Sequence, residues 1–283
     1  MNVGTSEDDA LDELLEAIYR NFHYDFRSYT RASLERGVAR AKSSLNTPLT
    51  KDLLARIQTE PDVFSKLVRH LTISVSDLFR DPSYYQSLRK LVIPHLASYA
   101  SPRIWVAGCG KGEEAYSIAI ILEEEGILDR SLIYATDIDE SSLEVAAAGA
   151  YPTDRAIGFS QNYLDAGGTK VLDSYYESST SQFKFADRLR RRITFSDHSL
   201  ATDAVFAEVQ LVSCRNVLIY FDQTLQDRAI GLFRDSLCAR GFLGLGPRET
   251  LVFSAHTSAF EPLSDVDRIY RLRQGQEAKR LTG

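Results

Sequence analysis

The sequence predicts an α/β fold, in which a parallel β-sheet is covered by helices on both faces and follows an all-α N-terminal domain. Three patterns predict it. Apolar residues recur three and four positions apart up to about residue 95, as in amphipathic helices. From residue 101, short apolar runs alternate with amphipathic segments, as in covered parallel sheets. Residues 151–195 interrupt that alternation with short apolar–polar repeats, which predict a small antiparallel β insertion.

The composition is that of a globular protein, because 44% of the 283 residues are apolar and 25% are charged. We expect two domains, a helical one over residues 1–95 and an α/β one over residues 96–283, with a β subdomain near 175–195. Three cysteines without a CxxC pair favour a reducing compartment, so we expect a cytoplasmic protein. No apolar run is long enough to enter a membrane as a span, and the acidic N-terminus is unlike a signal peptide.

Charge is distributed unevenly along the helical part. Residues 1–18 carry six acidic residues and no basic one, whereas residues 19–56 carry eight Lys/Arg against three Asp/Glu. The net charge of −6 argues against a general nucleic-acid binder but hides this basic region. Arg36 and Arg40 project from the helix face opposite the apolar one. This region could therefore meet an acidic protein partner, although a solvated helix face is the alternative.

The elements of the second part alternate in type. Predicted strands cover residues 104–107, 132–136, 183–185, 193–195 and 209–213. The helix 113–125 is stopped by Gly126, and a helix over 223–239 ends at Gly241. Between them, Ser141 and Glu144 form a capping box for a helix that closes near Gly149.

A glycine-rich turn, 108–112, follows the first strand, and Asp137 ends the second. Glycines let a backbone approach a ligand closely, and a carboxylate at the neighbouring strand end can accept hydrogen bonds from both hydroxyls of a ribose. The pair therefore predicts a nucleoside-binding site. A tight turn beside a solvated aspartate is the alternative.

Two cofactors fit this spacing. The dinucleotide fingerprint has a third glycine where this chain has Glu113. Glu113 and Glu114 at the helix start would repel a pyrophosphate, so they favour S-adenosylmethionine, which carries a sulfonium and an ammonium but no phosphate. Stabilisation of the first helical turn by these carboxylates is the alternative.

Arg215 and Asn216 follow the strand 209–213. The Asn/Asp-Pro-Pro-aromatic motif of methylases that act on base amines is absent there, which counts against an amine acceptor. Arginine suits an anionic acceptor, because it can hold a carboxylate with two hydrogen bonds. A purely structural arginine–carboxylate pair is the alternative. Residues 72–82, taken alone, indicate only the end of a helix.

Four segments together resemble the CheR-type chemotaxis receptor methyltransferases. They are T-I-x-x-x-x-x-F-R-D-P at 72–82, G-C-x-x-G-E-E-x-Y-S at 108–117, A-T-D-I-D at 135–139 and C-R-N-V-L-I-Y-F-D at 214–222. The resemblance extends from about residue 14 to 272. It implies a Rossmann-like S-adenosylmethionine-dependent methyltransferase core that forms glutamate methyl esters on a chemoreceptor in chemosensory adaptation, with S-adenosylhomocysteine as the product.

The resemblance also implies roles for individual residues. The cofactor-binding positions it implies are Ser76, Arg80, Gly108, Glu114, Asp137, Ser199, Leu200, Arg215 and Asn216. It implies catalytic roles for Arg80, Arg215 and Tyr220, the last near the reacting methyl group. The residues in the stretch that faces the receptor are Arg27, Arg31, Arg36 and Arg40. The partner it implies is the cytoplasmic helical domain of a methyl-accepting receptor, and we expect a monomer that binds neither nucleic acid nor a metal.

Several positions depart from the family pattern, among them Lys111, Ala115, Ser199 and the pair Pro247-Arg248. A carboxylate acceptor is already ionised at neutral pH, so the expected reaction needs no general base. Two alternatives stay open. One is a methyltransferase for a small carboxylic acid, with the N-terminal helices as a lid. The other is a non-catalytic member that binds a receptor or the cofactor.

Overall fold

The computed structural model describes residues 7–72 and 76–274. The N-terminal part consists of four helices, which are α1 (Glu7–Phe22), α2 (Arg31–Ser44), α3 (Thr50–Thr59) and α4 (Pro61–Leu71). Their apolar faces form a core of their own, to which α2 contributes Leu34, Val38 and Ala41. Arg36 and Arg40 lie on the exposed face of the same helix. The predicted all-α domain and its amphipathic second helix are thereby confirmed.

The next two helices, α5 (Pro82–Leu91) and α6 (Ile93–Leu96), belong to a different core. Tyr84, Tyr85 and Leu88 of α5 are buried in the cluster that covers one face of the β-sheet, and none of them joins the cluster of the first four helices. Because packing rather than helical periodicity defines a domain, we propose that the two domains meet between residues 71 and 78, and not at residue 95.

Seven strands form the main sheet. In chain order, the strands within the described residues are β1 (Arg103–Ala107), β2 (Leu132–Asp137), β3 (Ala150–Pro152), β4 (Tyr176–Ser178), β5 (Gln182–Phe185), β6 (Ile193–Asp197), β7 (Val209–Cys214), β8 (Leu237–Leu245), β9 (Phe260–Ser264) and β10 (Ile269–Leu272). The main sheet has the order β6-β2-β1-β7-β8-β10-β9, and its first five strands are parallel. The predicted parallel sheet is therefore confirmed, with an antiparallel edge.

Helices cover both faces of this sheet. They are α7 (Glu113–Glu124), α8 (Glu140–Ala148), α9 (Ala156–Asp165), α10 (Asp187–Arg190) and α11 (Gln223–Ser236). Ile118 and Leu122 of α7 lie in the core on one face, and Ile230 and Phe233 of α11 lie in the core on the other. Among residues 7–72 and 76–274, no helix combines the length and the apolar composition that crossing a membrane requires.

The small antiparallel sheet is present, but one of the strands predicted for it belongs to the main sheet. It has the order β3-β5-β4, whereas residues 193–195 lie in β6, which pairs in parallel with β2. Three alternating residues are too few to reveal which sheet a strand joins, because the pairing partner lies far away in the chain.

Two helix boundaries also differ from the prediction. Helix α11 ends at Ser236, and the chain continues directly into β8, so Gly241 lies inside a strand. Helix α8 is capped by Asp139 and not by Ser141, because the Asp139 carboxylate accepts the backbone N–H of Ser141 at 3.1 Å. Asp139 has the extended backbone that an N-cap needs, while Ser141 is already helical.

Candidate functional site

A cavity that is open in part to solvent lies at the carboxyl ends of β1, β2 and β7. Sheets of this type bind ligands at that edge. The predicted site residues that line it are Ser76, Arg80, Gly108, Glu114, Asp137, Leu200, Arg215, Asn216 and Tyr220. The structure therefore brings together residues that are separated by up to about half of the chain.

The glycine turn forms one wall of the cavity. Gly108 and Gly112 have φ angles of +70° and +90°, in the region that favours glycine. A Cβ atom on Gly108 would lie 2.4 Å from Cγ2 of Val217, and one on Gly112 would lie 2.8 Å from Cβ of Ala146. The turn therefore keeps its shape only with glycine at both positions.

Asp137 joins the turn to the end of β2. One carboxylate oxygen accepts the N–H of Gly110 at 2.7 Å, and the other accepts the N–H of Asp139 at 3.0 Å. Burial raises the pKa of Asp137, and these two N–H groups oppose the rise. A carboxylate has about four acceptor positions, so acceptor capacity remains for the hydroxyls of a ribose.

The two glutamates at the start of α7 have different surroundings. Glu113 is fully buried and forms an ion pair with Arg155, whose Nη1 lies 2.7 Å from the Glu113 carboxylate. Glu114 lines the cavity and accepts the hydroxyl of Ser213 at 2.6 Å. Burial raises the pKa of Glu114, and the Arg215 guanidinium opposes the rise. Of the two glutamates, Glu114 is the one that lines the cavity.

Arg215 is buried, with 1% of its side chain exposed. Its Nη2 lies 2.8 Å from the Asp81 carboxylate, and its Nη1 donates to the carbonyl of Arg80 at 3.1 Å and lies 3.6 Å from Glu114. The guanidinium carbon also lies 4.0 Å from the ring centre of Tyr84. Both terminal nitrogens of Arg215 bind protein atoms. We therefore propose that Arg215 positions Glu114 and the Arg80 segment and does not bind the carboxylate of a methyl acceptor.

The Arg215–Asn216 turn is held by a residue that the sequence analysis did not assign to the site. The buried carboxylate of Glu249 accepts the N–H groups of Asn216 at 3.0 Å, of Val217 at 2.8 Å and of Gly246 at 2.6 Å. The acidic residue three positions after Gly246 was the available signal, but two of the N–H groups that donate to it, those of Asn216 and Val217, lie 33 and 32 residues away along the chain. Burial raises the pKa of Glu249, and these N–H groups oppose the rise.

This carboxylate gives a pH-dependent prediction. Because its pKa is raised by folding, protonation stabilises the folded state below the ordinary carboxyl pKa, and that contribution is lost as pH rises through the raised value. Glu249→Gln cannot titrate. We expect the free energy of unfolding of the wild type, relative to the variant, to fall as pH rises above the ordinary carboxyl pKa in denaturant titrations. If the free energies of unfolding of the wild type and of Glu249→Gln change with pH in the same way, the raised pKa assigned to Glu249 is wrong.

The N-terminal domain reaches the cavity through the segment before α2. The N–H of Thr30 donates to the carbonyl of Tyr220 at 2.8 Å, and the N–H of Asp222 donates to the carbonyl of Ser28 at 2.9 Å. Tyr29 lies between these bonds and lines the cavity. No signal in the sequence analysis marked Tyr29. The two domains therefore share a main-chain connection beside Tyr220.

Ser199 is not among the residues that line the cavity, so its contact with the cofactor stays a prediction. Its hydroxyl instead accepts the N–H groups of Ala201 and Thr202, each at 3.3 Å, within a turn. His198 and Leu200, on either side, do line the cavity. The imidazole Nε2 of His198 lies 3.1 Å from the carbonyl of Ala204.

The four arginines predicted to face a partner divide into two pairs. Arg27 lies 2.9 Å from the Asp25 carboxylate, and Arg31 forms ion pairs with Asp8 and Asp12 of α1. In contrast, Arg36 donates to the Ser33 hydroxyl at 3.1 Å and Arg40 to the carbonyl of His70 at 2.8 Å. Within the described part of the chain, these two arginines form no ion pair with a carboxylate.

Comparison with known families decides the identity of this arrangement. The family model described as "CheR methyltransferase, SAM binding domain" matches residues 74–266, and "CheR methyltransferase, all-alpha domain" matches residues 9–72. The chain belongs to the CheR methyltransferase family. Its cofactor is therefore S-adenosylmethionine.

Curated members of the CheR family resemble the chain over most of its length. The Cher3 protein of Pseudomonas putida is 47% identical, over 91% of this chain and 94% of its own. A chemotaxis protein methyltransferase of Listeria monocytogenes is 29% identical, over 71% of this chain and 74% of its own. One of Borreliella burgdorferi is 26% identical, over 89% of this chain and 91% of its own.

The residues of the cavity fit the cofactor of this CheR-family chain. The free acceptor positions of Asp137 suit the ribose hydroxyls, and the glycine turn allows close approach to the nucleoside. Glu114 and Arg80 supply one negative and one positive charge on the cavity wall. The amino-acid end of S-adenosylmethionine carries both an ammonium and a carboxylate, so these charges match it.

Proposed function

We propose that the protein transfers the methyl group of S-adenosylmethionine to glutamate side chains of a chemoreceptor-type protein. The observation that carries this proposal is the position of Tyr220, which lines the cavity and hydrogen-bonds the segment that begins α2. Arg36 and Arg40, on the basic face of that helix, lie close enough to Tyr220 for their charges to lower its pKa. An anionic side chain on an acidic protein surface fits both features.

The chemistry makes modest demands on the protein. When bound, the cofactor supplies an electrophilic methyl group on a sulfonium. An acceptor glutamate is already ionised at neutral pH, so its carboxylate needs no general base. The residues of the chain then have to align the acceptor and exclude water from the cavity.

Tyr220 and Arg80 are the residues we propose for aligning the acceptor carboxylate. Burial raises the pKa of Tyr220, and the positive charges of Arg80, Arg40 and Arg36 oppose the rise. Its phenol therefore carries a proton at neutral pH and can donate a hydrogen bond to a carboxylate oxygen. Arg80 adds a positive charge on the wall of the same cavity.

A docking role for α2 can be tested by reversing its charge. We expect Arg36→Glu together with Arg40→Glu to raise KM for a receptor cytoplasmic fragment by about tenfold or more, because steering of an acidic partner is lost. Added salt should weaken the wild-type reaction in the same direction. Initial rates of labelled-methyl transfer measure both effects.

Arg27→Gln is the matched control, since the carboxylates of Asp25 and Glu16 already neutralise that arginine. Its KM should stay near the wild-type value. A small carboxylic acid that is methylated faster than the fragment, with no dependence on Arg36 and Arg40, would favour the alternative in which the N-terminal helices act as a lid.

A further inference from the structure

The loop that follows β8, residues 246–253, exposes one basic and two apolar side chains, and it contacts the cavity-lining residues Asn216 and Val217 through Glu249. We call it the β8 loop. Arg248 is exposed, and Val252 and Phe253 are 69% and 76% exposed. Exposed apolar residues that stand alone are ordinary, but adjacent ones at the edge of a functional cavity point to a binding surface.

The base of this loop is fixed although its tip is exposed. Glu249 binds the backbone of Asn216 and Val217, and Leu251 is buried in the core that includes Leu218 and Leu225. The side chain of Gln223 donates to the carbonyl of Phe253 at 3.1 Å. The loop is therefore held against the same segment that carries Tyr220.

Two other parts of the chain contact that segment, and we call them its flanks. The carbonyl of Tyr220 accepts the N–H of Thr30, which leads into the basic face of α2. The N–H of Val217 donates to Glu249 of the β8 loop. Ile219, which is 36% exposed, lies between these two attachments and adds apolar surface.

A helical bundle that presents an acceptor to the cavity also covers one of these flanks. A glutamate side chain is short, so the backbone that carries it must come to the mouth of the cavity. A helix with its side chains is about 10–12 Å across, and packed helices lie about 8–10 Å apart. One helix of a bundle placed over Tyr220 therefore brings its neighbour over a flank.

We propose that the β8 loop is a second docking wall for the helical protein acceptor. Arg248 meets an acidic side chain beside the target glutamate, and Val252 and Phe253 meet small apolar side chains of the same bundle. The inference rests on the proposed function. It implies that acidic and small apolar side chains alternate on the surface of the acceptor protein. The arginines of both flanks, Arg36, Arg40 and Arg248, are complementary to such a surface.

The test replaces Phe253 by aspartate and Arg248 by glutamate, singly. We expect each variant to raise KM for the receptor cytoplasmic fragment by about tenfold, as loss of one interface anchor does. The affinity for S-adenosylhomocysteine, measured by calorimetry, should stay at the wild-type value. Transfer to a small carboxylic acid, where it occurs, should also be unchanged.

Matched controls lie at the opposite edge of the sheet. Val171→Asp changes a side chain that is 72% exposed, near the end of α7 at Glu124. Lys90→Glu reverses an exposed charge at the end of α5. Helix α7 alone carries the chain about 15 Å from Glu114 to that edge. Both variants should methylate the fragment with the wild-type KM.

Two results would overturn the inference while leaving the proposed function intact. One is a wild-type KM for both β8-loop variants, and the other is an equal loss of transfer to fragment and small acid. If the wild type itself transfers no methyl group to the fragment, the proposed function fails and the inference fails with it.

Discussion

Replacing Asp137 by alanine is expected to weaken S-adenosylhomocysteine binding by about a hundredfold or more. The substitution removes the acceptors for the ribose hydroxyls, and each hydrogen bond to a charged group contributes about 1.5–3 kcal/mol. It also releases the N–H groups of Gly110 and Asp139, which the carboxylate holds at 2.7 and 3.0 Å. The turn then loses the shape that lets the nucleoside approach. Calorimetry on the purified variant measures the effect.

Two further variants separate binding from folding. Asp137→Asn keeps the shape of the side chain and one acceptor oxygen, so its affinity should fall between those of the wild type and the alanine variant. Asp197→Ala removes an exposed carboxylate at the end of the neighbouring strand β6 and should bind normally. A folded Asp137→Ala protein with wild-type affinity would refute the role assigned to Asp137.

Replacing Arg215 by methionine is expected to lower the free energy of unfolding by about 3–5 kcal/mol, the usual cost of removing one partner of a buried ion pair. Asp81 and Glu114 would lose the guanidinium that lies 2.8 and 3.6 Å from their carboxylates. Burial already raises the pKa of Glu114, so its charge becomes costlier without that cation. Denaturant unfolding at neutral pH measures the loss.

The double variant Arg215→Met, Glu114→Gln should recover part of this loss, because the uncompensated buried charge is gone. Arg188→Met is the control at an exposed position. The Arg188 side chain is 50% exposed and lies 2.9 Å from Glu123, and surface pairs of this kind contribute about 0–1 kcal/mol. Equal losses for Arg215→Met and Arg188→Met would contradict the structural role of Arg215.

The ligand-binding edge could be predicted because it depends on local signals. Buried strands end where glycines or polar residues begin, and parallel strands bring Gly108, Asp137 and Arg215 to one edge. The direction in which neighbouring side chains point could not be predicted in the same way. Glu113 and Glu114 are adjacent in sequence, and only the distant Arg155 decides that Glu113 is neutralised.

The same limit explains the other differences. Ser199 and His198 differ by one position, and the turn bonds of Ser199 decide which of them lines the cavity. The sequence did not distinguish between the arginines before and within α2. In the structure, carboxylates on α1 form ion pairs with Arg31, whereas Arg36 has no carboxylate partner in the described chain. Pairings between distant residues leave no periodic pattern in the sequence.

The most direct test of the central claim is to locate the methyl group in the product. The wild-type protein is incubated with labelled S-adenosylmethionine and a receptor cytoplasmic fragment, and the fragment is then digested and sequenced by mass spectrometry. The account predicts label on glutamate side chains of the helical bundle, released by mild base as an ester requires. Label that resists base, label on another residue type, or no transfer by a protein that binds S-adenosylhomocysteine would contradict it.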